Sequence, residues 1–135
     1  AHTKIVFNIP WAAEPFHHHR DLRTHTGSQL SLMNNIIRIT RTLVEPTPDL
    51  YRTVPTGIAI QNARTRLTYP LTRDGYHLSK DSGRYLAALT FLCTLTGTNP
   101  DQLAPDPEVQ DQAVLIKAAQ LAIERPNVVT FMPQE

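Results

Sequence analysis

Apolar residues along this chain switch between the compact runs of β-strands and the three- and four-residue spacing of helices. Residues 4–9 form a β-rich run stopped by Pro10, which predicts a short, largely buried parallel strand. A second short strand is predicted over residues 51–54. Helices are predicted over residues 28–44, 58–66, 80–96 and 107–125. This alternation of strands and helices predicts an α/β fold.

Local signals mark the ends of the predicted helices. Ser28 is the predicted N-cap of the first helix, whose apolar residues cover so wide an arc that we expect it to be covered on more than one side. In the third helix, Ser79 is the predicted N-cap and Gly97 the predicted C-cap. The last helix is predicted to start with Asp106 as N-cap and Pro107 as its first helical residue.

Composition limits the class of protein without choosing its function. With 135 residues, 41% of them apolar, the chain is expected to form one soluble domain, with residues 98–135 adding a linker, a helix and a tail to residues 1–97. A formal net charge of +1 without a basic stripe predicts no nucleic-acid partner, and no apolar run is long enough to cross a membrane. Cys93 is the only cysteine, so we expect a packed thiol and no internal disulfide. The compartment stays undetermined, with secretion or a periplasmic location left open.

Two strands are too few for the sheet of a doubly wound domain, which usually has about five. We therefore expect roughly three strands to come from elsewhere. One source is an N-terminal half of the same protein: Ala1 is neither an initiator methionine nor the start of a signal peptide, so we expect an upstream segment to have been removed. The other source is a second copy of the chain, associating through the exposed edge of residues 4–9.

The strongest candidate chemistry is an aspartate three residues before a histidine. Asp74 and His77 flank Gly75, which allows a tight turn, so the carboxylate can orient one ring nitrogen and leave the other facing a nucleophile. The alternative is that Asp74 only caps a turn and that His77 is a buried aromatic residue. Tyr76 is expected to be a packing residue, because its phenol is a poor proton donor near neutrality. A solvated charge is a better explanation of Arg73 than a residue that clamps the substrate.

Residues 58–97 resemble the C-terminal part of the SGNH/GDSL hydrolases, most closely an esterase-like subfamily without assigned substrates. In that family a DxxH motif before the last core helix supplies the acid and base of the catalytic triad, and Asp74 and His77 match it. The match extends to the start of the following helix and to an AxQxAR pattern before the motif, at Gly83, Arg84, Tyr85, Ala59, Gln61, Ala63 and Arg64. Weaker likeness reaches back to Lys4 and forward to Ile123. The resemblance implies the C-terminal portion of a doubly wound, flavodoxin-like, three-layer parallel sheet.

The chain departs from that family at the nucleophile. The serine of the family lies on a Gly-Asp-Ser or Gly-Asn-Ser motif far upstream, and no such motif occurs here; Ser28 follows a glycine but is better explained as an N-cap. The resemblance therefore implies a serine esterase whose serine lies in an absent N-terminal half, acting on acyl or acetyl esters of small molecules or carbohydrates, without a cofactor. The alternative is a non-catalytic binding or assembly module that keeps the fold without the nucleophile.

A long predicted loop over residues 11–26 contains a run of three histidines. Imidazoles bind zinc, copper or nickel, but three adjacent side chains on an extended loop point in different directions, so we predict no metal site. A metal-dependent enzyme built on this run would need bound metal by elemental analysis. Ligand sites of open α/β sheets lie beyond the carboxyl ends of the strands. We therefore expect this loop and the DxxH motif to line one cleft, with Trp11, Phe16, His17, His18, His19 and Arg73 at its rim.

Overall fold

The computed structural model describes residues 3–15 and 28–134. In these residues the elements follow in the order β1 (Ile5–Asn8), α1 (Gln29–Ile39), β2 (Leu50–Val54), α2 (Thr56–Arg64), α3 (Ser82–Thr96) and α4 (Gln112–Glu124). Helix α1 continues directly into a π-helical turn, Thr40–Val44, and a 3₁₀ turn, Pro100–Gln102, lies between α3 and α4. The predicted α/β character is confirmed.

The sheet is small and parallel. Strands β1 and β2 pair with Val6 opposite Arg52, and within the described residues they are the only strands of the sheet. The complete doubly wound, three-layer sheet is therefore not seen there. The prediction that residues 4–9 are largely buried is wrong: Ile5 is exposed, and only Ile9, beyond the end of β1, is buried. The side chains of a strand point to the two faces of its sheet, so their exposure shows that the described residues cover the faces of β1 only in part.

The core lies where α2, α3 and α4 pack together. Large side chains with no solvent exposure come from each of the three helices and from the loop between α2 and α3: Ile58, Ile60, Leu71, Leu86 and Leu115. Helix α2 is buried along almost its whole length, and its Asn62 is satisfied inside the core because Nδ2 donates to Ala118 O at 3.3 Å and Oδ1 accepts from Thr130 N at 2.7 Å. Cys93 is buried as predicted, and burial raises the pKa of its thiol.

The chain leaving β1 lies directly against the first turn of α2. Gly57 N donates to Ile9 O at 2.9 Å, and a side chain at position 57 would put its Cβ 1.9 Å from Pro10 O. Glycine alone permits this approach. The contact directs residues 11–14 along the side of α2.

Helix α3 starts later than predicted. It begins at Ser82 with Asp81 at the N-cap, whereas the sequence predicts a start at residue 80 after Ser79. Ser79 Oγ still accepts from Gly83 N at 2.9 Å, so both polar side chains satisfy free N–H groups of the first turn. The predicted end is confirmed, because Gly97 adopts the left-handed conformation with φ 74°.

The predicted start of the last helix is wrong by five residues. Asp106 caps a separate turn, in which its Oδ1 accepts from Glu108 N at 3.0 Å, and Pro107 lies in that turn. Asp111 then takes the left-handed conformation with φ 51°, and α4 begins at Gln112. Asp-Pro is a signal for turns as well as for helix starts, and here the turn forms.

Helix α1 is covered on one side only in the described structure. Its N-cap is confirmed, because Ser28 Oγ accepts from Ser31 N at 3.1 Å. Met33 and Ile37 are buried, but Leu43 in the π-helical turn is 71% exposed. The prediction that this helix is covered on more than one side is therefore wrong for the part of the chain that the structure describes.

The C-terminal tail, residues 128–134, lies against the end of α2. Met132 N donates to Thr65 Oγ1 at 2.9 Å, and Thr130 N donates to Asn62 as described above. Polar side chains of α2 thus hold a segment with no regular structure of its own.

Candidate active site

The DxxH turn, residues 74–77, is organised by one carboxylate. Asp74 Oδ1 accepts from the backbone N–H groups of Tyr76 at 3.0 Å and His77 at 2.7 Å, and Oδ2 lies 2.7 Å from His77 Nδ1. Gly75 between them has φ 88°, which glycine adopts without strain. The structure therefore brings together the carboxylate and the imidazole that the sequence singles out.

Backbone bonds close the loop around the turn. Arg73 N donates to His77 O at 2.9 Å, and Ser79 N donates to Leu71 O at 2.9 Å. The start of α3 rests on the base of this loop, since a Cβ on Gly83 would lie 2.2 Å from Leu71 O. Hydrogen bonds between the two ends of the loop thus fix it, and its base also lies against the helix that follows.

The electrostatics of the turn set the tautomer of a neutral His77. Donation by the backbone N–H and the ring of His77, and by the N–H of Tyr76, holds the pKa of Asp74 well below its ordinary value of 3.8. The ionised carboxylate can only accept hydrogen bonds, so Nδ1 of a neutral His77 carries the proton and Nε2 is the basic nitrogen. No described residue bonds to Nε2, and the His77 side chain is 60% exposed. Nε2 is therefore open to a reacting group.

The alternative interpretation of this turn is wrong for His77. Asp74 does cap the turn, but His77 is not a buried aromatic residue. Tyr76, predicted to be a packing residue, is partly exposed, and its ring meets the His77 ring edge to face with centroids 5.3 Å apart. The backbone of the turn bonds to Asp74 on one side and to the neighbouring segment on the other, which leaves the two rings outside.

The neighbouring segment consists of residues 11–14 and is called segment 11–14. The sequence predicts only Trp11 of this segment to lie near the turn. Trp11 Nε1 donates to Tyr76 O at 2.7 Å, and Glu14 N donates to Gly75 O at 2.7 Å. Glu14 Oε1 forms an ion pair with Arg64 NH2 at 2.8 Å, and both side chains are nearly buried. Sequence reasoning missed Glu14, because an acid in an irregular stretch carries no pattern of burial. Its partner Arg64, which belongs to the AxQxAR pattern, was the only signal in the sequence for this ion pair.

The structure describes two of the residues predicted to form the rim of a cleft. Trp11 lies against the DxxH turn, and Arg73 Nε lies 3.9 Å from Asp74 Oδ2 with the side chain about half exposed. Phe16, His17, His18 and His19 fall outside the described residues. Among the residues that are described, no group of three or more His, Cys, Asp or Glu side chains could hold a metal ion. None of the described helices has the length and apolar character needed to cross a membrane.

Two of the grooves that described residues line lie away from the DxxH turn. One, of about 500 Å³, lies between α1 and residues 127–128 and includes Arg38 and Arg41. The other, of about 450 Å³, lies beside the start of α3. Neither groove includes Asp74 or His77.

Comparison with known proteins places the chain in a family without an assigned function. Residues 1–125 match the model of the DUF4886 domain, described as a domain of unknown function. The chain belongs to the DUF4886 family. A crystal structure of a DUF4886 family protein from Bacteroides uniformis ATCC 8492 is similar, with a TM-score of 0.87 and 30% identity over 96% of this chain and 51% of that one. The chain thus spans about half the length of that DUF4886 relative.

No curated protein matches the chain. Neither the DUF4886 domain description nor the solved relative carries a connection to the SGNH/GDSL hydrolases. Membership of that superfamily therefore stays a prediction from the residues, and the shared architecture is that of DUF4886.

Proposed function

We propose that the protein is part of a serine esterase of the SGNH/GDSL type, in which Asp74 and His77 are the acid and base of a Ser-His-Asp triad. The observation that carries the proposal is the 2.7 Å contact between Asp74 Oδ2 and His77 Nδ1 on an exposed turn, with Nε2 open. In such a pair the carboxylate sets the tautomer and orientation of a histidine that activates a nucleophile. The resemblance of residues 58–97 to those hydrolases, which includes this motif, is a second support.

In the proposed reaction a serine hydroxyl from outside this chain attacks the ester carbonyl. Nε2 of His77 takes the hydroxyl proton and returns it to the departing alkoxide, which leaves an acyl-serine. The same nitrogen then takes a proton from water, which attacks the acyl group, and returns it to the serine. Asp74 holds the Nδ1 proton throughout and stabilises the imidazolium.

The serine and the oxyanion donors would come from the rest of the family domain. The solved relative is about twice as long as this chain, and β1 and β2 are the only described strands, which supports a site completed by further residues. We propose an N-terminal half of the same protein as that source, with self-association through the edge of β1 as the alternative. The substrates would be acyl or acetyl esters of small molecules or carbohydrates.

The test is ester hydrolysis by a chain that contains the whole family domain. With a short-chain p-nitrophenyl ester, His77→Ala should lower kcat by about 10⁴-fold, and Asp74→Asn by a similar or smaller factor. Residues 1–135 alone should show no turnover, because they lack both covalent catalysis and an oxyanion hole. Asp106→Asn is the matched control: Asp106 also caps an exposed turn, but with no histidine beside it.

Two results would overturn the proposal. One is full activity in the His77→Ala and Asp74→Asn variants, and the other is turnover by residues 1–135 that His77→Ala abolishes, which would place the nucleophile within this chain. A whole domain that hydrolyses no ester would favour the other prediction, a binding or assembly module without catalysis.

A further inference from the structure

We propose that Glu14 and Arg64 are positioning residues that hold the DxxH turn from behind, through segment 11–14. The consequence for catalysis rests on the proposed function, whereas the effect on the geometry of the turn does not.

The contacts between segment 11–14 and the turn fall on two particular peptide units. The unit between Gly75 and Tyr76 presents its N–H to Asp74 and its C=O to Glu14 N, at 2.7 Å. The unit between Tyr76 and His77 likewise presents its N–H to Asp74 and its C=O to Trp11 Nε1, at 2.7 Å. In a trans peptide the N–H and the C=O point in opposite directions. A bond to each carbonyl therefore sets the direction of the N–H that holds the Asp74 carboxylate.

Segment 11–14 has no regular structure, so it can hold the turn only if it is fixed itself. Arg64 fixes it at two points: NH1 donates to Ala12 O at 2.6 Å, and NH2 donates to Glu14 Oε1 at 2.8 Å. Gln29 of α1 adds bonds from Nε2 to Ala13 O and to Glu14 Oε2, both at 3.0 Å. The segment is thus tied to two helices, and α2, which carries Arg64, is part of the core.

The burial of this pair supports a positioning role. Glu14 and Arg64 have side chains that are 11% and 7% exposed, and burial lowers the pKa of the Arg64 guanidinium from its ordinary value while Glu14 opposes that shift. Apolar residues of similar size are often as stabilising as a buried ion pair, so stability alone does not call for one here. The planar fork of Arg64 can reach a carbonyl and a carboxylate at once, which an apolar side chain cannot. Both carboxylate oxygens of Glu14 are occupied, which leaves it no direct part in chemistry.

The experiment compares single substitutions in residues 1–135 and in the whole family domain. Trp11→Phe keeps an aromatic ring and removes one donor to the turn, and Arg64→Lys keeps the charge but loses the fork. In both variants, amide hydrogen exchange at Tyr76 and His77 should accelerate by about five-fold or more, roughly what one ordinary hydrogen bond is worth. The pKa of Asp74, measured by carboxyl NMR, should rise towards 3.8.

The control must separate positioning from a general loss of stability. Asn62→Ala removes buried hydrogen bonds of the same helix two residues away, and these lead to Ala118 and Thr130 rather than to the turn. It should lower the melting temperature without moving the pKa of Asp74. In the whole domain, Trp11→Phe and Arg64→Lys should lower kcat on esters with little change in KM.

Exchange rates and an Asp74 pKa that stay at their wild-type values in Trp11→Phe and Arg64→Lys would overturn the positioning role. So would an equal shift of the Asp74 pKa in Asn62→Ala, because the turn would then be reporting overall stability. Shifts confined to Trp11→Phe and Arg64→Lys, in a whole domain that hydrolyses no ester, would support the positioning role and reject the esterase.

Discussion

Two carboxylates of this region each lie close to a side-chain nitrogen, at almost the same distance. Glu14 Oε1 is 2.8 Å from Arg64 NH2, and Asp74 Oδ2 is 2.7 Å from His77 Nδ1. Their surroundings differ: the first pair has side chains 11% and 7% exposed, and the second has side chains 46% and 60% exposed. Equal distances therefore do not imply equal roles.

Burial decides what each pair can do. A charge held away from water is costly unless it is paired, so neither partner of Glu14 and Arg64 can be lost cheaply. An exposed pair is screened by water and contributes at most about 1 kcal/mol. Stability alone gives little reason to aim three donors at Asp74, whereas a histidine that accepts protons at Nε2 needs that arrangement.

The largest effect should come from breaking the buried pair. Arg64→Met leaves Glu14 buried without its cation, and the free energy of unfolding should fall by about 3–5 kcal/mol. Chemical denaturation followed by circular dichroism measures this. Adding Glu14→Gln to Arg64→Met removes the stranded charge and should recover part of the loss. A loss below about 1 kcal/mol in Arg64→Met would show that the pair is not shielded as described.

A much smaller effect on stability should follow from breaking the exposed pair. His77→Ala should change the free energy of unfolding by less than about 1 kcal/mol, because the ring is mostly solvated and Asp74 keeps its two backbone donors. The same substitution in the whole domain should abolish nearly all ester hydrolysis. A loss of several kcal/mol in His77→Ala would mean that the turn serves stability, and the comparison with Glu14 and Arg64 would fail.

The sequence predicts local geometry better than long-range contacts. The DxxH turn could be anticipated because all its bonds to Asp74 arise within three residues, and Gly75 supplies the backbone conformation. Glu14 and Arg64 are 50 residues apart, and the pairing of β1 with β2 and the close passage at Gly57 bring their elements together. No local pattern reports such a contact.

The predictions of helix starts and of side-chain exposure were wrong for related reasons. Asp106 and Pro107 match a helix start and a turn equally well, and packing of the later residues decides between them. The wide apolar arc of α1 and the apolar run of β1 predict more cover than the described residues supply. Apolar positions indicate that a surface favours burial, but they do not indicate which residues cover that surface.

The smallest expected effect is the dependence of the DxxH turn on pH. Because hydrogen bonds to the ionised form lower the pKa of Asp74, the ionised form stabilises the folded turn. The contribution should be fully present above 3.8, the ordinary value, and should be lost only as the pH falls through the lowered pKa of the folded state. Amide chemical shifts of Tyr76 and His77, followed by NMR in acidic solution, should show no transition at 3.8 and should change only at lower pH.

Asp74→Asn provides the control, because an amide at this position cannot titrate and the two amide shifts should lose their acid transition. A transition in the wild-type protein centred at 3.8 would show that the donors of the turn do not favour the carboxylate. Asp74 would then be an ordinary solvated acid next to a histidine, and the difference between the exposed pair and the buried pair would reduce to solvent exposure alone.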